Sequence, residues 1–265
     1  MAAPALHVEV HGPERARALV LAHGFGGSAR NWRPQLRTLR ERRRVVVYDA
    51  RGHARSEAPD SPAAYRMGEL VSDLLRAAEA GGDPRPVLGG LSLGAAVALR
   101  AALLRPGRAR ALVLASHPAG PGSGHGVAAR ARAFADAIER DGLEAAGERF
   151  AWGPDSGLEP AEAALVRQGF LEHAPHALAH TLRECLAELE PVEGLAAQLS
   201  ALRLPVLVVA GERDLGSLPV SRALAAALPA AELVVIPGAG HVVNLAAPAA
   251  FDAALLGFLE RLERG

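Results

Sequence analysis

Gly90-Leu91-Ser92-Leu93-Gly94 stands near the middle of the chain, between the apolar run Pro86-Val87-Leu88-Gly89 and the alanine-rich run Ala95-Ala96-Val97-Ala98-Leu99-Arg100-Ala101-Ala102-Leu103. The first run predicts a buried strand and the second a helix buried on most faces. A serine at the sharp turn between them takes a backbone conformation that is costly for any residue with a Cβ. Gly90 and Gly94 leave room for strand and helix to approach. The Ser92 hydroxyl would then stand at the end of the sheet beside the positive end of a helix, where a nucleophile belongs. An ordinary serine in a tight turn is the competing reading, and the pentapeptide alone does not choose between them.

Outward from this turn, apolar runs alternate with helical patterns. Leu6 to Val10 alternates as an edge strand does. Ala18–Ala22, Val45–Tyr48 and Ala111–Ala115 are continuous apolar runs, as strands buried on both faces require. Helices are predicted from about Asn31 to Arg42 and from Tyr65 to Ala78. This order predicts an α/β fold with a mostly parallel central sheet, helices on both faces, and ligands at the carboxyl ends of the strands. After Pro118 the rhythm changes. The stretch 118–126 reads as a loose linker, and 127–200 shows helical patterns without a strand. Strands resume at Pro205–Ala210 and Glu232–Ile236, and the last helix runs from Pro248 to Leu262. The expected division is a core of residues 1–120 and 203–265 with an inserted helical cap, or lid, over 121–202.

Composition narrows the function. The 265 residues carry 29 basic and 29 acidic side chains, so the net charge is zero. No basic stripe interleaved with aromatics is present, and no nucleic-acid partner is expected. Cys185 is the single cysteine, which excludes an internal disulfide and a thiolate zinc site and reads as a buried structural thiol. The N-terminus lacks a signal-peptide pattern and no run is long enough to span a membrane, so a cytoplasmic protein without a membrane partner is expected. A small-molecule substrate is the expected partner. The oligomeric state is left open.

A serine nucleophile needs a base, and the base needs an orienting acid. Downstream of Ser92, Asp214 follows one strand and His241 follows the last, both at carboxyl ends and in the chain order Ser, Asp, His. Ser92, Asp214 and His241 are therefore the candidate catalytic residues, with Glu212 as the alternative acid. Two backbone donors are needed for the developing oxyanion, and the N–H groups of Phe25 and Leu93 are assigned to it. Gly24, His23, Trp32, His117 and Val242 are the candidates for lining the substrate site. His23 precedes Ser92, against the chain order, and is read as shaping the Phe25 loop rather than as the base. His53 is a second possible wall residue. His176 and His180 have helical i, i+4 spacing but no HExxH pattern, so no metal and no cofactor is expected. Arg130, Arg132, Arg149, Arg167 and Arg183 in the insertion either form a solvated surface or grip a carboxylated substrate.

With these residues in place, the chain resembles the α/β-hydrolase fold superfamily over essentially its whole length. The resemblance rests on His23-Gly24-Phe25-Gly26-Gly27-Ser28 with Trp32, on Asp49 to Ser56, on Gly90 to Gly94, on Gly211 to Asp214, and on Gly240-His241 with Asn244-Leu245 and Pro248. It is similar to small capped esterases, to 3-oxoadipate enol-lactonases and to the menaquinone-pathway synthase that eliminates pyruvate. Two positions depart from the pattern. The usual Gly-x-Gly is Gly52-His53-Ala54, and a frequent Glu after Asn-Leu is replaced by Ala246-Ala247. The resemblance implies hydrolysis of an ester, lactone or thioester through an acyl-enzyme. It also admits carbon–carbon cleavage or elimination by the same groups. A non-catalytic binding module is the third reading, and an intact Ser, His, Asp set speaks against it.

Overall fold

Residues on each inner strand divide alternately between two apolar layers. Leu19 and Leu21 face one layer and Val20 and Ala22 the other; Val45 and Val47 oppose Val46 and Tyr48; Leu207 and Val209 oppose Val206 and Val208. This two-sided burial is what continuous apolar runs encode. The computed structural model describes residues 3–118, 127–156 and 158–264.

The strands are β1 (Val8–His11), β2 (Ala18–Ala22), β3 (Arg44–Tyr48), β4 (Val87–Leu91), β5 (Ala111–Ala115), β6 (Val206–Gly211) and β7 (Ala231–Ile236). They form one sheet in the order β1-β3-β2-β4-β5-β6-β7. Only β1 runs antiparallel to its neighbour. The helices are α1 (Arg33–Leu39), α2 (Met67–Glu79), α3 (Leu93–Leu104), α4 (Val127–Gly147), α5 (Pro160–Phe170), α6 (Pro175–Glu184), α7 (Ala196–Ala201), α8 (Leu218–Ala227), α9 (Val243–Ala246) and α10 (Pro248–Arg264). Trp32, Leu36 and Leu39 from α1 and its approach, with Phe251, Leu255 and Phe258 from α10, fill one layer. Residues of α2, α3 and α8 fill the other, which continues into the inserted helices. Among the described residues no helix is long and apolar enough to cross a membrane.

The order of strands and helices matches the expectation, and the differences are at element ends. The helix expected from Asn31 begins as a 3₁₀ turn, Ala29–Trp32, before α1. In the insertion, α4 kinks at Gly142, whose φ of 81° no regular helix contains. Helix α6 stops at Glu184, because Cys185 leaves helical geometry (φ −122°, ψ −63°) and a 3₁₀ turn follows. Burial pushes the Cys185 thiol up to about 12, consistent with an inert packed side chain. The expected linker lies mostly outside the described residues.

Glycine is required where β4 turns into α3. A Cβ on Gly94 would overlap the carbonyl of Ala22, and one on Gly90 would overlap the Gly94 backbone. Strand β2 and helix α3 can cross at this distance only because neither position carries a side chain.

Candidate active site

Ser92 follows β4 with φ 53° and ψ −114°, a conformation an L-residue with a side chain rarely adopts. Its N–H donates to Ala115 O at 2.8 Å and its carbonyl accepts Ala96 N–H at 3.1 Å, so strand and helix bonds hold the turn on both sides. The strain points the hydroxyl away from the sheet, at the N-terminus of α3.

The loops after β6 and β7 bring two side chains to it. Ser92 Oγ–H donates to His241 Nε2 at 3.0 Å. His241 Nδ1–H donates to Asp214 Oδ2 at 2.8 Å. Asp214 is buried, and burial works against its charge. The bond from His241, the attraction of that ring and two donors on Ser217 outweigh this and hold the carboxyl below its ordinary value. One of those donors, the Ser217 N–H, reaches Asp214 Oδ1 at 3.1 Å. Glu212, the alternative acid, is turned elsewhere and accepts the Gly238 N–H at 2.9 Å.

The loop after β2 passes beside the serine. A Cβ on Gly24 would stand 3.5 Å from Ser92 Cβ. Among the described residues, the N–H groups of Phe25 and Leu93 make no hydrogen bond outside regular structure, and Leu93 is the first residue of α3, where such donors are left over. Asp49 ties this loop to the next. Its Oδ1 accepts Ala29 N–H at 2.8 Å and its Oδ2 accepts Arg55 Nε–H at 2.8 Å.

Several expected wall residues take other places. Trp32 is fully buried against Phe251, at 6.0 Å between ring centroids, because the 3₁₀ turn rotates it into the layer under α10. It is a core residue and cannot touch a substrate. His23 is also buried with both ring nitrogens committed. Nδ1–H donates to Gly24 O at 2.7 Å and Nε2 accepts Ala50 N–H at 2.9 Å. Burial lowers its pKa to about 4. It buttresses the Gly24–Phe25 loop and has no nitrogen left for a substrate or for the Ser92 proton. His117 donates Nδ1–H to Pro118 O at 2.9 Å and lines a cavity between α3 and the segment 188–195, whose walls include no member of the Ser92, His241, Asp214 set. Val242 is half-buried beside His241 at the entry to α9. Gly24 lies beside the serine.

His53 is buried next to His23 and Phe25, and His173 from the insertion packs on it at 5.0 Å. Three of the insertion's arginines are committed within it: Arg132 pairs with Glu188, Arg167 with Glu144, and Arg183 with Asp136 and Glu139. Asn244 is fully buried and bridges α1 and α9, donating to Asn31 O at 3.0 Å and Gln35 Oε1 at 3.2 Å. Ser217 is the site residue the sequence did not single out. Its only signal was a hydroxyl one turn beyond Asp214.

The chain is 35% identical over 266 residues to a putative carbamate hydrolase RutD of Variovorax paradoxus, covering 97% of each. Its fold matches a thermophilic esterase from Thermogutta terrifontis with a TM-score of 0.85 at 28% identity, covering 98% of this chain and 94% of that one. It matches the enol-lactonase from Burkholderia xenovorans with a TM-score of 0.83 at 25% identity, covering 97% of each. These relatives support a hydrolase. Residues 19–254 match the model of the alpha/beta hydrolase family, and the chain belongs to that family.

Proposed function

We propose that this protein is a serine hydrolase that cleaves a carboxylic ester, lactone or thioester of a small molecule through an acyl-enzyme. The observation that carries the reading is the continuous relay from Ser92 Oγ to His241 Nε2 at 3.0 Å and from His241 Nδ1 to Asp214 Oδ2 at 2.8 Å, with the serine at a strained turn.

In this mechanism Ser92 Oγ attacks the substrate carbonyl carbon while His241 Nε2 takes the hydroxyl proton. Asp214 fixes the Nδ1–H tautomer and stabilises the imidazolium as it forms. The Phe25 and Leu93 N–H groups receive the oxyanion. Collapse of the tetrahedral intermediate expels the alcohol, enol or thiol, which leaves with the proton held on His241. Water then enters, gives a proton to His241, and releases the acid while Ser92 recovers its hydrogen. Helices α4 to α7 act as the cap that selects the substrate. The carbamate in the name of the relative from Variovorax is acyl chemistry of the same kind, with nitrogen on the acyl carbon.

The test is hydrolysis of p-nitrophenyl esters of graded chain length, with an enol-lactone, a thioester and a carbamate beside them. Ser92→Ala is expected to lose about 10³-fold or more in kcat. Unchanged turnover in that variant would sink the reading. An acyl adduct trapped on Ser92 by a slow ester separates it from proton abstraction by the same groups.

A further inference from the structure

Aromatic residues make up only 4% of the sequence, yet four of its six phenylalanines and one of its two tryptophans meet in a single cluster. Phe134, Phe150, Trp152 and Phe170 come from the inserted segment. Phe25 comes from the loop beside Ser92. The Phe25 ring meets Phe134 edge-on at 5.8 Å and Phe170 at 5.9 Å, and those two rings stack at 5.7 Å. On its other side Phe25 meets His53 edge-on at 6.0 Å. The residue whose N–H is assigned to the oxyanion is thus held between core and insertion.

The contact extends beyond ring packing. Gly26 turns with φ 68° directly under Phe170, and a Cβ there would lie 2.5 Å from Phe170 Cδ2. Two residues after Phe170, Glu172 pairs with Arg30. Next, His173 Nδ1 accepts the Ala54 N–H at 2.9 Å and its ring packs on His53. The short stretch 170–173, at the junction of α5 and α6, therefore grips both the loop after β2 and the turn after β3. A cover that only excluded water would need apolar contact alone. Here apolar contacts reach Phe25 and Gly26, while the ionic and hydrogen-bonding contacts fix Arg30 and Ala54 on the two loops.

We propose that Phe170 and His173 are positioning residues for the Phe25 N–H, so that the second oxyanion donor is in place only when 170–173 is seated on the two loops. The proposal rests on the assignment of Ser92 as nucleophile and of the Phe25 N–H as an oxyanion donor. Seating of the insertion would then act on the chemical step as well as on substrate choice.

The experiment compares wild type with Phe170→Ala, Phe170→Leu, His173→Ala and His173→Asn. It measures kcat and KM over a p-nitrophenyl ester series, and the Ki of an alkyl trifluoromethyl ketone. Ser92 Oγ adds to the ketone carbon, its proton passes to His241 Nε2, and the carbonyl oxygen becomes the oxyanion with no leaving group. Loss of a whole oxyanion donor costs about 10²–10³ in kcat, so displacing one is expected to cost roughly 10- to 100-fold. Phe170→Ala and His173→Ala should lower kcat and raise Ki by that factor, for every acyl chain, with KM nearly unchanged. His173→Asn keeps an acceptor for Ala54 and should recover most of the loss. Phe170→Leu keeps part of the volume and should fall between, which decides the matter if the alanine variant does not fold. An unchanged Ki in Phe170→Leu and His173→Ala, or a rise in KM alone that varies with acyl length, overturns the proposal while leaving Ser92 as the nucleophile. A wild type indifferent to the ketone, or an active Ser92→Ala, removes the nucleophile assignment and this proposal with it.

Discussion

Ser217 Oγ lies 3.2 Å from His241 Nδ1, the same nitrogen that meets Asp214 Oδ2 at 2.8 Å. Ser217 precedes α8, yet its hydroxyl does not cap that helix. It turns instead to the acid and the imidazole. The Ser217 oxygen offers a second acceptor to the His241 Nδ1–H and helps fix the tautomer that leaves Nε2 free for the serine proton. Ser217→Ala should lower kcat about tenfold, the equivalent of one charge-assisted bond of roughly 1.4 kcal/mol, with KM unchanged. Because no cap is lost, urea unfolding should shift by less than about 1 kcal/mol. A wild-type kcat would show that Asp214 alone orients the ring.

The strands and the order of the site residues were legible because the physics behind them is local. A strand buried on both faces must be apolar at every position, and β2, β5 and β6 are. Ser92 and Asp214 each sit just past such a run and His241 just past the edge strand β7, so the parallel topology alone carries them to one rim. Trp32 was misleading for the opposite reason. It follows the glycine loop closely in sequence, but a 3₁₀ turn rotates it toward Phe251, more than two hundred residues away. The seating of Phe170 and His173 on Gly26 and Ala54 joins segments over a hundred residues apart and leaves no periodicity to read. The break of helix at Cys185 has no Gly or Pro to announce it.

Four buried histidines make the fold acid-sensitive before its carboxylates titrate. Burial lowers His23 and His117 to about 4, and it also lowers His53 and His173. In the unfolded chain each binds a proton near pH 6.5. Below that pH the unfolded state holds more protons than the native one, so stability falls as pH falls, until the folded-state values are reached. At pH 5 the loss is about 2 kcal/mol for each of His23 and His117. The urea midpoint should therefore be flat above pH 7 and drop steadily between pH 6.5 and pH 4. His117→Gln should lessen the slope. A midpoint that stays constant from pH 7 to pH 5 would contradict neutral, buried rings at these positions.

Ala54 stands with φ 45° in the turn where the resemblance leads one to expect glycine. An L-residue pays roughly 1–2 kcal/mol in this region. The turn tolerates it because the neighbouring bonds are fixed: the Ala54 N–H is donated to His173 Nδ1 at 2.9 Å, and Arg55 N–H reaches Asp49 Oδ2 at 3.2 Å. Glycine keeps the same N–H and removes the Cβ strain, while adding a few tenths of a kcal/mol of unfolded-state entropy. Ala54→Gly should therefore stabilise the fold by about 0.5–1 kcal/mol, read as a rise of roughly 2 °C in Tm for a chain of this size. Ester turnover should be unchanged, since the bond to His173 survives. A fall in Tm would mean that the Ala54 methyl contributes more through packing than its backbone strain costs. A gain in Tm with loss of turnover would mean that the turn must be stiff to hold His173 against it.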